Sequence, residues 1–157
     1  MNLAPSRLLG LDVGDRRIGV AISDPDAHFA LPLRSVERDR SGSELGALAD
    51  LARDQSVGEI VVGLPLSLSG DSSAQTETTR AFARLLEQRL QLPVHLWDER
   101  LSTKEALRLT GSEQRRPAKG GRRKRSRAAE ADTDALAATI ILQAYLDHLR
   151  LSSGDGP

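Results

Sequence analysis

Three carboxylates stand where an acidic side chain needs a physical reason. Asp12 interrupts the apolar run Leu8-Leu9-Gly10-Leu11-Asp12-Val13, and a second apolar run, Ile18-Gly19-Val20-Ala21, follows a Gly-centred turn. Glu99 stands just past Pro93-Val94-His95-Leu96-Trp97-Asp98, and Asp134 opens an apolar, alanine-rich stretch. A charge inside a buried strand is costly unless a partner compensates it. Three carboxylates brought together repel strongly unless a cation lies between them. Hard oxygen donors suit Mg²⁺ or Mn²⁺, one ion or two. Two such ions about 4 Å apart can activate water and stabilise both oxygens of an in-line phosphoryl displacement. The chemistry indicated is metal-dependent phosphoryl transfer.

Each residue also has a plainer reading. Asp12 could be a turn-forming acid before Gly14. Glu99 could pair with Arg100 or cap the following helix. Asp134 could simply favour a helix dipole, and Asp132 competes with it for the site. Asp98 should point to the opposite side from Glu99 if the chain is extended there. Gly63-Leu64-Pro65 through Gly70 could admit a phosphate to the backbone, or be an ordinary strand-to-helix loop. His28, His95 and His148 are scattered without metal-ligand spacing and read as structural or solvent-facing.

The elements that would position these groups follow from periodicity. Residues 7–13 and 17–23 read as two strands of a hairpin. Residues 29–37 form a third, placed at an edge by Pro32. Leu45, Leu48, Ala49, Leu51 and Ala52 recur at helical spacing over 43–54. Glu59-Ile60-Val61-Val62-Gly63-Leu64 suits a strand covered on both faces. Residues 73–91 carry the clearest helical stripe, with Ser72 and Gln75 as a capping box. A strand is expected over 93–98, a helix over 103–110 with Ser102 and Glu105 as its capping box, and a last helix over 133–150. The order β-β-β-α-β-α-β-α-α implies one mixed five-stranded α/β sheet, three antiparallel strands then two parallel, with helices on both faces. Sites in such sheets lie at the carboxyl ends of parallel strands. If the first and last strands are neighbours, Asp12 and Glu99 share one edge, and the final helix can drop Asp134 beside them.

Length and composition bound the rest. A chain of 157 residues suits a single domain, here 1–151, with a disordered tail at 152–157. There is no cysteine, which excludes disulfides and thiolate metal sites. No segment resembles a signal peptide or is long enough to span a bilayer, so a cytoplasmic protein is expected. Twenty-two basic residues balance 22 acidic ones, but eight Lys or Arg and no acid lie between Arg115 and Arg127. That block, within a loop expected to be mobile over 112–131, suggests one anionic contact surface. The few aromatics, Phe29, Phe82, Trp97 and Tyr145, argue against a base-stacking module.

Four segments together resemble the YqgF/RuvX family of RNase H-like proteins, described as Holliday junction resolvases and as pre-16S rRNA nucleases. They are Gly10-Leu11-Asp12-Val13-Gly14 with Arg17-Ile18-Gly19-Val20-Ala21; Ile60-Val61-Val62-Gly63-Leu64-Pro65 with Gly70; Asp98-Glu99-Arg100-Leu101-Ser102-Thr103; and Asp134-Ala135-Leu136-Ala137-Ala138-Thr139-Ile140-Ile141-Leu142-Gln143. The resemblance runs from about Leu8 to Asp147. It implies an RNase H-like fold and divalent-metal-dependent phosphodiester cleavage, with processing of the 5′ end of 16S rRNA in the bacterial cytoplasm. It places the acidic triad, as catalytic and metal-binding residues, on Asp12, Glu99 and Asp134, and favours Asp134 over Asp132. Thr133 departs from the apolar residue the family commonly has before the last acid, and Ala128-Ala129-Glu130-Ala131 lengthens the loop. In this context Arg100 is a candidate for the scissile phosphate. Lys119, Arg122, Arg123, Lys124 and Arg125 are candidates for backbone contacts, which give affinity rather than sequence choice.

The principal expectation is therefore a metal-dependent endonuclease on structured RNA, monomer or homodimer, with no membrane partner. A resolvase of branched DNA is the rival within the same chemistry, and needs a dimer for two symmetric cuts. Asp-x-Gly before a hairpin also resembles the phosphate loop of actin-like and sugar kinases, but those need a second similar domain. A non-catalytic binding module would have no need for all three acids.

Overall fold

Alternation along the first strand divides the molecule. In β1 (Arg7–Val13), Leu9, Leu11 and Val13 enter one core cluster, whereas Leu8 enters another. Gly10 and Asp12 share the face of Leu8, because side chains alternate along a strand. The computed structural model describes residues 6–67, 69–101 and 127–152, with the backbone alone for 127–132.

β2 (Arg17–Ser23) folds back on β1 antiparallel, through a tight turn in which the Gly14 N–H donates to the Arg17 carbonyl at 2.9 Å. β3 (Ala30–Glu37) pairs antiparallel with β2. Helix α1 (Ser43–Asp54) then leads to β4 (Val57–Leu64), parallel to β1. Helix α2 (Ala74–Leu90) leads to β5 (Val94–Asp98), parallel to β4. Helix α3 (Arg127–Ser152) closes the described chain. The sheet order is β3-β2-β1-β4-β5, which puts β3, with Pro32, at an edge as expected.

Two cores hold the layers. On one face Leu9, Leu11, Ile18, Val20, Ile60 and Val62 pack with Leu48 and Ala52 of α1 and with Phe82, Ala83 and Leu86 of α2. On the other, Leu8, Ala21 and Val61 pack with Ala138, Ile141, Leu142 and Leu146 of α3. Burial of each large aliphatic side chain stabilises the fold by about 1.5–3 kcal/mol. Because β1, β2 and β4 are covered on both faces, their sequences read as continuous apolar runs.

Several expectations are corrected. β1 and β5 are not neighbours: β4 lies between them. The capping box of α2 is Ser73 with Thr76, one residue later than Ser72 with Gln75. Thr76 decides the register, since its hydroxyl also donates to the Pro65 carbonyl and so ties the helix to the end of β4. The last helix begins at Arg127, so residues 127–131 are not loop, and it runs to Ser152. Arg127-Ala128-Ala129-Glu130-Ala131 consists of strong helix formers without Gly or Pro, and propensity extends the helix where no apolar period does. Residues 99–101 are already helical, ahead of the expected start at 103. The rest of that helix, its capping box, loop residues 112–126 and tail residues 153–157 lie outside the described residues. Among the described residues no helix is long and apolar enough to cross a membrane.

Candidate active site

Asp12 pairs with Gly19 across the β1–β2 ladder. Gly19 has no side chain because α3 lies on it: a Cβ there would overlap the Asp134 carbonyl oxygen. The backbone contact fixes the first turn of α3 that carries a described side chain over the end of β1. Asp134 thereby comes close enough to Asp12 to act on its ionisation.

Glu99 arrives from the far side of β4. Gly63 of β4 pairs with Trp97 of β5, and a Cβ on Gly63 would stand 2.8 Å from Glu99 Oε1 and 3.1 Å from its Cγ. The Glu99 side chain therefore crosses β4 over a bare glycine and reaches the Asp12 carboxyl, with which it shares a hydrogen bond. From the sequence, Gly63 falls in this strand, and also at the start of a stretch through Gly70 that could admit a phosphate, but not under Glu99. Its signal was a glycine inside a strand, which marks a close approach, and Gly19 carries the same signal.

The electrostatics are those of half-buried acids close to one another. Burial raises the Asp12 carboxyl first, and the negative charge of Asp134 raises it further, against the hydrogen bond from Glu99. Glu99 is pushed up to about 7, first by burial, then by the charge of Asp12, by the hydrogen bond to it, and by Asp98. Below about 7 the proton shared by the pair sits on Glu99, whose O–H donates to the Asp12 carboxylate. Asp134 is balanced differently: Arg17 Nε donates to its Oδ2 at 2.6 Å, and Ser35 Oγ donates to the same oxygen at 3.3 Å. Neither Arg17 nor Ser35 was singled out for this, and nothing in their spacing would have done so.

Arg100 is held by its neighbour on the chain. Its Nε donates to both Asp98 carboxylate oxygens at 3.0 Å and one terminal nitrogen donates to Oδ2 at 2.6 Å. The guanidinium keeps the Asp98 carboxyl below its ordinary range. The same guanidinium packs against Gly70, whose φ of 85° closes the turn after β4. Asp98 thus holds Arg100, while Glu99, already in the helical turn that follows β5, reaches Asp12. Lys119, Arg122, Arg123, Lys124 and Arg125 lie outside the described residues, as does the Asp132 side chain.

The three histidines differ from expectation at one place. Asp24, Asp26 and His28, in the β2–β3 connection, bring one ligand atom each within 4.8 Å of one another. His28 and Asp26 are exposed, and Asp24 Oδ1 already accepts the backbone N–H groups of His28 and Phe29, each at 2.7 Å. His95 stacks on Tyr145 with ring centroids 5.7 Å apart, and His148 leans on Trp97 at 5.3 Å.

Comparison with known proteins agrees with the geometry. Residues 6–148 match the family model RuvX, described as Holliday junction resolvase. A protein of Koribacter versatilis named "Putative pre-16S rRNA nuclease" is 43% identical over 141 residues, which cover 90% of this chain and 86% of that one. One of Moorella thermoacetica with the same name is 44% identical over 143 residues, covering 91% and 96%. Among solved structures, T. thermophilus RuvC in complex with a Holliday junction substrate shares the fold. Its TM-score is 0.57 at 13% identity, over 94% of this chain and 97% of that one. The mixed sheet with helices on both faces is thus an RNase H-like fold of the RuvC kind.

Proposed function

Because the chain belongs to the RuvX family, we propose that it is a nuclease that hydrolyses phosphodiester bonds with Mg²⁺ or Mn²⁺, its substrate being the 5′ region of pre-16S rRNA. The observation that carries this reading is the half-buried Asp12–Glu99 pair, joined by a hydrogen bond with Asp134 beside it. Such a pair fits a divalent cation: hard oxygens converge in a place too dry for two bare charges. When bound there, the ion lowers the pKa of water and offsets charge building on the phosphate. Asp12 and Glu99 would supply its first oxygens, Glu99 in its deprotonated form. Asp134 supplies a further oxygen from α3. The exposed Asp24–Asp26–His28 group is a poorer seat, since Asp24 Oδ1 is already taken by backbone N–H groups.

Arg100, fixed by Asp98 against the turn at Gly70, offers a guanidinium to a phosphate at the carboxyl end of the sheet. The segment with Lys119, Arg122, Arg123, Lys124 and Arg125 adds phosphate contacts, and with them salt-dependent affinity. The bacterial cytoplasm is the compartment that fits such a substrate. A second reading, resolution of four-way DNA junctions, is favoured by the description of the family itself, and needs two copies for paired cuts.

The test is a cleavage assay with Mg²⁺ or Mn²⁺ on three substrates: single-stranded RNA, a 16S precursor 5′ fragment and a four-way DNA junction. Asp12→Asn runs beside the wild type. Cleavage of the precursor fragment by the wild type alone is expected. Cutting of the junction alone would overturn the RNA assignment, and an active Asp12→Asn would overturn the site.

A further inference from the structure

The third carboxylate is occupied. Asp134 Oδ2 takes a charge-assisted hydrogen bond from Arg17 Nε at 2.6 Å and a second bond from Ser35 Oγ at 3.3 Å. Both donors come from β2 and β3, the side of β1 away from Glu99. Among the described residues, the only set of three acids or histidines with ligand atoms all within 4.8 Å of one another is Asp24, Asp26 and His28. Asp12, Glu99 and Asp134 therefore do not converge on one point in this state. Asp134 is instead turned toward the Arg17 guanidinium.

Resting on the nuclease reading above, we propose that Arg17 is a positioning residue that holds Asp134 away from the metal site until a nucleic-acid phosphate draws its guanidinium off. The exchange is chemically matched, since a guanidinium fork pairs with phosphate as readily as with carboxylate. Arg17 is also placed for it. It is the first residue of β2, beside the hairpin turn, and its side chain is 32% exposed, so substrate can reach it. Release of Asp134 then completes the ligand set. Metal affinity and nucleic-acid affinity become linked, each raising the other by the same factor. The free protein is left with a weak, incomplete site.

The experiment counts bound Mn²⁺ by electron paramagnetic resonance, without nucleic acid and without turnover. Arg17→Gln is expected to bind Mn²⁺ on the order of tenfold tighter than wild type, the lower end of what a hydrogen bond to a charged group contributes. Arg17→Gln with Asp134→Asn is expected to lose that gain. In the wild type, a 2′-O-methyl RNA oligonucleotide should tighten Mn²⁺ binding, and Asp134→Asn alone should abolish the tightening. This second readout serves if Arg17→Gln does not fold. Unchanged or weaker Mn²⁺ binding by folded Arg17→Gln, or tightening that survives in Asp134→Asn, overturns the role of Arg17. Mn²⁺ binding that survives in Asp12→Asn overturns the metal site itself, and the role of Arg17 with it.

Discussion

Replacing Asp12 by Asn should stabilise the metal-free protein at alkaline pH while abolishing its activity. Glu99 titrates at about 7 in the folded chain against an ordinary 4.5. At about 1.4 kcal/mol per pH unit the whole difference would be about 3 kcal/mol. Solvent reaches this partly exposed side chain, and screening reduces the effect to about 1–2 kcal/mol. The sign follows from the direction of the shift. A carboxyl raised in the folded state contributes its stability while protonated, fully below about 4.5, and loses it as pH rises through about 7. Metal-free wild type should therefore lose about 1–2 kcal/mol between acid and alkaline pH, or about 2–8 °C in Tm for a domain of this size. Burial is the first cause of the Glu99 shift and the Asp12 charge the second; Asp12→Asn removes the second, so the variant should be more stable than wild type at pH 8 in EDTA, and nearly equal at pH 5. Saturating Mn²⁺ should reverse the order, because a ligand at a hundred times its Kd stabilises the form that binds it by about 2.7 kcal/mol. Thermal unfolding at the two pH values, with and without Mn²⁺, reads all four numbers. A variant destabilised equally at pH 5 and pH 8 would refute the charge argument.

Other perturbations test the supports of the site. Gly63→Ala places a Cβ 2.6 Å from Ile141 Cδ1 and 2.8 Å from Glu99 Oε1. It should cost about 1–3 kcal/mol by overpacking and push Glu99 off Asp12, so cleavage falls further than the loss of stability explains. Gly19→Ala meets backbone rather than a yielding side chain, at Asp134. It should undock α3 and cost upwards of about 4 kcal/mol, seen as a collapse in Tm. Arg122→Ala with Arg123→Ala should leave folding intact, weaken RNA binding and lower the slope of log affinity against log salt by about 1–2. An unchanged slope would remove the basic segment from the interface.

What was legible in the sequence was whatever rests on local pattern. The apolar runs of β1, β2 and β4 and the stripes of α1 and α2 fix their elements, because burial on one or two faces dictates period. Pro32 declared the edge strand for the same kind of reason, the missing N–H. Asp12 stood out as a charge in an apolar strand, and the motif resemblance supplied its partners. What depended on strand order was not legible. Asp12 and Glu99 meet not across neighbouring strands but over β4, and the residue that permits it, Gly63, shows its purpose only when the intervening strand is known. The cap of α2 slipped by one residue because Ser72 and Ser73 are equal as caps, and the contact of Thr76 with Pro65 decides between them. Arg17 looked like a hairpin charge, and only the crossing of α3 over β2 brings Asp134 to it.

Whether Asp12 and Glu99 hold a divalent cation at the end of the sheet is tested most directly by anomalous diffraction from crystals grown with Mn²⁺. A peak is expected about 2.1 Å from carboxylate oxygens of both residues, absent in Asp12→Asn. A peak at Asp24, Asp26 and His28 with none at Asp12 would contradict the assignment.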